Sequence, residues 1–570
     1  MEKWVVTAKR ANFQEISETF RIDPVIARLI RNRDVTGMQN IRTYLYGGLD
    51  ELPSPWLLKD MEKAVEILMD KINRQKKIRI IGDYDIDGVT STYILLKGIR
   101  RLGGNADTYI PDRITDGYGM HQELILRAKE DGVDTIVTCD NGIAASNEIA
   151  TARELGITTV VTDHHEVPYE DVENTRIFKI PAADAVVNPK QQECAYPFKN
   201  ICGAVVAWKL VWALYERAGI PREEIWDFLE FAAIATVGDV MDLQGENRII
   251  VKEGLKRLSE TSNYGLRALI QANGLEDAVI SSYHVGFVLG PCINASGRLD
   301  TASRSLALFL SEDAGTAARL AGDLTALNQS RKSLTEQGKD EAVKLLEETP
   351  VGKDRVLVLF LPDCHESLAG IIAGRIRERY HKPAFILTRG ETGVKGSGRS
   401  IEAYSMYDEL VKCADLLERF GGHPMAAGLS LKEENVNEFR RRLNQNCTLT
   451  EEELVPKVVI DVPMPLGYAG KELVEQLSLL EPFGKGNTKP LFAQKGLRVL
   501  GLRILGKNHN VAKMQLMDAQ GCVTDAVYFG EAEEFKKFCE SNDTISVTYY
   551  PEINSYQGRE TLQAVIRNYC

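Results

Sequence analysis

The stretch Ile80-Ile81-Gly82-Asp83-Tyr84-Asp85-Ile86-Asp87-Gly88 decides how this chain is read. Ile78, Ile80 and Ile81 are β-branched residues suited to a buried strand. Beyond the acidic turn, Tyr93, Leu95, Leu96 and Ile99 recur at helical spacing, with Thr90 or Ser91 as the expected cap. Three carboxylates therefore crowd the carboxyl end of a strand, the edge at which open α/β sheets bind ligands. Asp85 and Asp87, two residues apart, would leave an extended strand on the same side. Carboxylates about 4 Å apart repel by roughly 1 kcal/mol in water and more in a partly dry cleft, and a divalent cation relieves that repulsion. Taken alone, the stretch fits a polar turn with solvated aspartates equally well, so its meaning depends on what the rest of the chain brings to it.

The rest of the chain repeats the pattern. After the helix at 121–130, an apolar strand at 134–139 runs into Asp140-Asn141-Gly142; after the helix at 144–155, the strand Thr158–Thr162 runs into Asp163-His164-His165. Three strands that each end in acidic or imidazole side chains predict a parallel, doubly wound sheet with its site along one edge. Two helical stretches, 203–218 and 223–236, then deliver Asp239 at a Gly238-marked helix end.

Downstream, 290–298 reads as a glycine-rich loop holding Arg298, and 312–348, free of proline through Glu348, as one long connecting helix without chemistry of its own. A second α/β unit begins near Arg355, with a helix at 367–380, a strand at 384–388 and the segment Gly396-Ser397-Gly398-Arg399-Ser400. A helix at 408–420 then leads to Gly421-Gly422-His423. Glycines let a backbone approach a ligand closely, and Ser, Arg and His are natural phosphate donors. From about Pro456, five or so short strands and one helix near 531–540 predict a small barrel such as an OB-fold. On it, Lys507, His509, Lys513, Tyr528, Tyr549 and Tyr556 could meet single-stranded bases and phosphates. The expected architecture is α/β and multidomain: an N-terminal segment (1–57), a parallel-sheet domain (58–305), a connecting helix (306–350), a second α/β domain (351–455) and an OB-type β-barrel (456–570).

Length fits this division, since 570 residues exceed one ordinary domain. A formal net charge of −12 argues against a protein that coats nucleic acid nonspecifically, yet leaves room for a local basic groove beside a metal site. The ten cysteines form no C-x-x-C pair, which points to a reduced cytoplasm and away from structural zinc. No apolar run approaches the roughly 20 residues that a membrane span requires, so no membrane is expected as a partner.

Asp83, Asp85, Asp87, Asp140, His164 and Asp239 together offer carboxylate and imidazole ligands for two adjacent cations, with Asp163 and His165 as the catalytic pair beside them; His165 could also serve as a further ligand. Mixed oxygen and nitrogen ligation favours Mn²⁺ over Mg²⁺. Two such ions about 3.5 to 4 Å apart acidify water and neutralise charge building on a phosphoryl group. No P-loop or GxGxxG is present to suggest nucleotide-driven or redox work.

Asp83-Tyr-Asp-Ile-Asp-Gly88, Cys139-Asp-Asn-Gly142, Asp163-His164-His165 and Gly238-Asp239 resemble, in order, the four motifs of the DHH phosphoesterase superfamily. The Gly-Ser-Gly-Arg-Ser and Gly-Gly-His segments resemble its DHHA1 domain. Within it, the 111–119 and 294–298 loops, the long helix and Leu479-Leu-Glu-Pro-Phe-Gly-Lys-Gly-Asn487 resemble the bacterial single-strand-specific exonucleases. That resemblance implies hydrolysis of single-stranded DNA from the 5′ end, release of 5′-mononucleotides, two Mn²⁺ or Mg²⁺ ions, and a cytoplasmic monomer that works in recombination and repair with a helicase and a single-strand-binding protein. It implies that Arg113, Ser397 and Arg399 hold the 5′ phosphate, and that Arg298, Tyr118, Gly422 and His423 meet the strand or the transition state. Cys292 and the run Cys364-His365-Glu366-Ser367-Leu368 depart from the family pattern. Two other readings stay open: a DHH phosphodiesterase acting on short oligoribonucleotides or cyclic dinucleotides, and a catalytically silent DHH scaffold at replication forks.

Overall fold

In the computed structural model, residues 2–113, 116, 119–172, 175–390, 393–506, 508–556 and 558–570 are described. The first sheet has five parallel strands in the order Ala106–Tyr109, Ile78–Ile81, Thr135–Cys139, Thr158–Thr162, Ala185–Val187. Its β-branched strands are covered on both faces, as parallel sheets must be. Ile78, Ile80, Val137, Val160 and Val187 join the large core on one face, whereas Ile81, Ile136, Val161 and Val186 join a smaller core on the other. Strand order reverses between Ile78–Ile81 and its Thr135–Cys139 neighbour, and the crevice at such a reversal is where ligands bind in doubly wound sheets. Asp83 and Asp140 follow those two strands.

The acidic turn differs from an extended strand. The strand stops at Ile81, and the helix Ile86–Arg101 starts soon after, capped by Asp85 rather than by Thr90 or Ser91, which are buried inside it. The Asp85 carboxylate accepts the backbone N–H groups of Asp87 (2.9 Å) and Gly88 (3.1 Å), and aspartate is a strong N-cap. Asp87 therefore sits in the first helical turn instead of alternating with Asp85 along a strand. A further helix, Gly290–Leu299, replaces the expected glycine-rich loop; it packs on the long helix Ala314–Glu348, and Asn294 accepts the Ile86 N–H at 2.8 Å.

The second domain is a five-stranded mixed sheet ordered Leu417–His423, Ala426–Leu431, Val394–Arg399, Ala384–Arg389, Leu357–Phe360. The expected helix at 408–420 is shorter, Met406–Val411, and its remainder leads into the edge strand that ends at His423. The C-terminal six-stranded sheet closes on itself where Phe492–Leu505 pairs with Ile545–Tyr556, which makes it a barrel. The N-terminal helices Phe13–Phe20, Pro24–Asn32 and Met38–Tyr46 share its core: Ile26, Leu29 and Ile30 are buried in the same cluster as Leu477 and Phe492. Buried Arg248 ties this unit to the first domain, donating to the carbonyls of Tyr44 (2.8 Å), Leu480 (2.9 Å) and Leu479 (2.8 Å).

Two barrel residues differ from expectation. Tyr549 is buried, its hydroxyl donating to the Met464 carbonyl at 2.8 Å, and Tyr528 packs against Phe535 of the helix Ala532–Glu540, so neither offers an open ring face to bases. His509 and Lys513 are exposed, whereas Lys507 and the Tyr556 side chain lie outside the described residues. Among the described residues, no helix is long and apolar enough to cross a membrane.

Candidate functional site

The strand ends converge. Asp83, Asp85 and Asp140 present ligand atoms within 4.8 Å of one another, as do Asp87, His164 and Asp239, and also Asp140, His164 and His165. Asp140 and His164 each belong to two of these groups, so the groups form one continuous cluster. Its backbone is shaped for the purpose. Asp140 takes φ +60, a left-handed conformation that L-residues seldom adopt, and Val240, directly after Asp239, takes φ +56, an outlier for a β-branched residue. Close approach is essential at Gly203, where a Cβ would lie 2.8 Å from that of Asp140, and at Gly88, where it would lie 2.4 Å from the Asp83 carbonyl oxygen.

Each carboxylate is held differently. Asp87 accepts the backbone N–H groups of Gly203 (2.6 Å) and Ala204 (2.8 Å), at the positive end of the helix Gly203–Ala218. Asp163 accepts from the backbone of Ile143 (2.9 Å), His164 (2.7 Å) and His165 (3.1 Å), and its Oδ1 lies 2.7 Å from His165 Nδ1. Asp163 therefore positions the two histidines. Burial works against a charged His165, but the Asp163 hydrogen bond and charge outweigh it and lift the imidazole to about 9; burial holds His164 below the usual imidazole range despite Asp87 nearby.

His164 Nε2 lies 3.1 Å from Asp140 Oδ1, 3.6 Å from Asp87 Oδ2 and 3.8 Å from Asp239 Oδ2. Among the described residues neither His164 ring nitrogen makes a hydrogen bond, nor does buried Asp83 Oδ1. Burial, then repulsion from Asp85, pushes Asp83 up to about 8; burial, then Asp87 and Asp85, does the same to Asp239; and Asp140 is raised by burial, Asp87 and Asp85. A neutral buried imidazole facing mutually repelling carboxylates is a donor set that divalent cations fit.

Across the cleft the sign reverses. A cavity of about 440 Å³ between the two α/β domains is lined by Tyr84 and Arg113 on one side and by Glu366, Ser367, Lys395, Ser397 and Arg419 on the other, with Glu366 paired to Lys395 at 2.8 Å. Arg113 stacks over the Tyr84 ring, 5.0 Å from its centroid. Arg399 donates to the Gly398 carbonyl (2.8 Å) and more weakly to Ser397 Oγ (3.4 Å), and Arg298 donates to the Ser367 carbonyl (2.8 Å). Burial, then Arg113 and Arg331, lowers Arg298 to about 10, and burial, Arg113 and Arg377 lower Arg399. Gly422 and His423 are exposed at the end of the edge strand, beside cavity-lining Gly421. Tyr118 lies outside the described residues.

Sequence reasoning missed Arg331. It comes from the long helix expected to be a spacer, its Nε donating to Asn328 (3.0 Å), whose amide in turn meets Cys292 Sγ at 3.3 Å. Its only sequence signal is one guanidinium on a charged helix face. Tyr84, Ser367 and Arg419 were likewise unmarked; Tyr84 stood inside the acidic turn, and Ser367 in the run that departs from the family pattern.

Family models match in the same order as the domains: the DHH family N-terminal domain at 77–236, the DHHA1 domain at 353–448 and the RecJ OB domain at 460–568. The chain is 34% identical over 559 residues to the single-stranded-DNA-specific exonuclease RecJ of Bacillus subtilis, covering 97% of this chain and 69% of that protein. It is 33% identical to the Escherichia coli protein of the same name, covering 97% and 98%. The crystal structure of RecJ in complex with Mn²⁺ from Thermus thermophilus superimposes with a TM-score of 0.83 at 29% identity, covering 100% of this chain and 79% of that one. A Mg²⁺ complex of the same protein gives 0.78 at 28% identity, covering 100% and 78%. With its parallel sheet, its cleft and its barrel each matched in order, the chain belongs to the RecJ family of single-stranded-DNA-specific exonucleases.

Proposed function

We propose that the chain degrades single-stranded DNA from the 5′ end, releases 5′-mononucleotides and serves DNA recombination and repair in the cytoplasm. Family membership supports the 5′ polarity, and one observation supports recognition of an end: Tyr84, between Asp83 and Asp85 in sequence, also supports Arg113 in the cavity between the domains. An anion pocket is thereby built directly onto the candidate metal ligands. A terminal phosphate held there would lie beside the carboxylate cluster, and such a pocket reads an end rather than a sequence.

Asp83, Asp85, Asp87, Asp140, His164 and Asp239 would hold two divalent cations, Mn²⁺ or Mg²⁺, the ions present in the solved relatives. When bound, such cations activate water and neutralise charge developing on a phosphoryl group. The chain's own groups do the rest. Arg113, Ser397 and Arg399 bind the terminal phosphate, guanidinium groups being suited to bidentate phosphate contacts. Arg298, Gly422 and His423 would meet the strand, a role that the resemblance also gives to Tyr118. Asp163 Oδ1, 2.7 Å from His165 Nδ1, fixes the imidazole and leaves Nε2 as the nitrogen that would exchange a proton with a phosphoryl or departing oxygen; the side chain is 44% exposed.

The test is a time course on a 5′-phosphorylated 20-nucleotide DNA labelled at either end, with Mn²⁺. Mononucleotides should leave first from the 5′ label, while the 3′ label remains on progressively shorter products. A 3′-first ladder, or consumption of dinucleotides alone, would overturn the reading.

A further inference from the structure

The open face of the second domain's sheet carries three cross-strand rows. On the strand Val394–Arg399, residues 395, 397 and 399 share one face. Register aligns Arg399 with Ala426 and His423, Ser397 with Gly428 and Gly421, and Lys395 with Ser430 and Arg419. The middle row is almost bare: a Cβ at Gly421 would meet nothing within 4 Å, and one at Gly428 only the Gly396 carbonyl oxygen, at 4.0 Å. That row is the floor of a trough. The cavity of about 440 Å³ between the two α/β domains lies over it and reaches Lys395, Ser430 and Arg419. The first turn of the helix Glu366–Tyr380 walls the trough, and Glu366, the single carboxylate among the described lining residues, lies 2.8 Å from Lys395. An anionic oxygen already sits at that end of the row.

We propose that the Lys395–Ser430–Arg419 row is a station for the outer phosphates of a 5′-di- or triphosphorylated strand, so that the chain accepts polyphosphorylated as well as monophosphorylated 5′ ends. The assignment rests on the 5′-end reading. With Ser397 and Arg399 on the terminal phosphate and His423 on the strand, the row lies on the far side of the terminus, two residues or about 7 Å along the sheet strand from Ser397. What the DNA strand can deliver there is a group joined to its terminal phosphate, and two cations with a hydroxyl between them select one rich in anionic oxygens. A pyrophosphoryl extension meets both conditions. Its outer oxygens would replace the Glu366 carboxylate at Lys395 and meet Arg419 across the trough. Cleavage follows the same course as for a monophosphate: water attacks the phosphorus between the first two nucleotides, and the 3′ oxygen of the first leaves and takes up a proton. The products are a nucleoside 5′-triphosphate and a strand with a 5′-monophosphate. The row therefore acts in the first turnover alone, because every later end carries one phosphate.

The test uses the full-length, Mn²⁺-loaded protein on one 20-nucleotide DNA bearing either a 5′-triphosphate or a 5′-monophosphate. The unaltered protein should cut both with similar kcat/KM and release the first residue of the former as an intact nucleoside triphosphate. Lys395→Ala/Arg419→Ala should lower the triphosphate-to-monophosphate ratio roughly 10- to 100-fold in the first turnover, while later turnovers on the same strand match those that start from a monophosphate. Activity on the monophosphate reports that the variant is folded. Glu366→Gln should raise the ratio, since the competing carboxylate is gone. The proposal is overturned if the unaltered protein refuses the triphosphate, if pyrophosphate or phosphate leaves before the first nucleotide, or if the double variant keeps the ratio unchanged. If the monophosphorylated DNA is degraded from the 3′ end, the 5′-end reading fails, and fluorescence anisotropy of the two DNAs in Ca²⁺ still decides the row: a loss of affinity confined to the triphosphate in the double variant sustains it, and equal losses dismiss it.

Discussion

The cleft contains two clusters of like charge and opposite sign, and they are built by different means. The anionic cluster comes largely from strand ends of one sheet, and sheet register places its members before any ligand arrives: Ile81 aligns with Thr138, and Cys139 with Thr162. The cationic cluster is assembled from a loop (Arg113), a helix of the first domain (Arg298), the long helix (Arg331) and a strand of the second domain (Arg399). The first is a property of one domain, whereas the second exists only when both domains and their connector are in place. On the proposed function each is a set of charges that a ligand of the other sign would complete, metal in one case and phosphate in the other.

The contrast can be broken most sharply at the anionic end. Asp140→Asn should lower turnover roughly a thousandfold or more, since a carboxylate shared by two of the candidate ligand groups is lost, yet leave the melting temperature of chelated protein unchanged or higher, because a buried carboxyl crowded by others is gone. Asp87→Ala should also abolish turnover but lower the melting temperature, because the Gly203 and Ala204 N–H groups lose their acceptor, a loss of about 1 to 2 kcal/mol. Thermal melts with activity assays separate the two, and DNA binding should survive both.

The pH dependence of the chelated protein is the next largest effect. Asp83 and Asp239, at about 8, titrate well above their ordinary values in the folded state, so the stability linked to them is present below about pH 4 and is lost as pH rises through 8. His165, raised to about 9, acts in the same direction above neutrality, whereas His164 and Asp163, both lowered, act in the opposite one. The melting temperature of chelated protein should therefore fall between pH 5 and 9, and Mn²⁺ should flatten that slope. A profile identical with and without the ion would remove the cluster's claim to be a metal site.

Smaller effects belong to the cationic end. Arg399→Ala should weaken binding of 5′-phosphorylated DNA by about 1.5 to 3 kcal/mol and leave unphosphorylated ends nearly unaffected, as titrations of the two oligonucleotides would show. Arg113→Lys keeps the charge but loses the planar stack on Tyr84; about 1 kcal/mol should disappear, a change of several-fold in Kd.

The unequal construction of the two clusters explains what could be read from sequence. Strand ends carry local signals, an apolar β-branched run followed by Asp or His, so Asp83, Asp140 and His164 stand out from neighbours alone. The local path of the turn did not, because the Asp85 carboxylate caps the helix immediately and turns Asp87 into its first turn. Gly290 and Gly297 suggest a loop, but packing of Ile293 and Ala295 against the rest of the first domain overrides that propensity. Tyr549 could not be told from a surface aromatic, since Tyr549 and Tyr550 are adjacent and only barrel closure decides which way each ring points. Arg331 is the hardest case: on a long charged helix, a guanidinium whose charge reaches Arg298 looks like one bound for solvent.

A last consequence follows from the strand Lys3–Val6, which pairs in parallel with Lys457–Ile460 just before the barrel. Asp461 is then pinned by Asn32 (3.0 Å from its carbonyl) and by the Leu491 N–H (3.0 Å to its carboxylate). The second α/β domain is consequently braced at both of its chain connections, by a rigid helical strut on one side and by this ladder on the other. A jaw tied at both corners would resist gaping around the middle of a polymer. On the proposed function its substrate would be threaded in by a free tip, so that dependence on an end would follow from mechanical layout as much as from phosphate recognition.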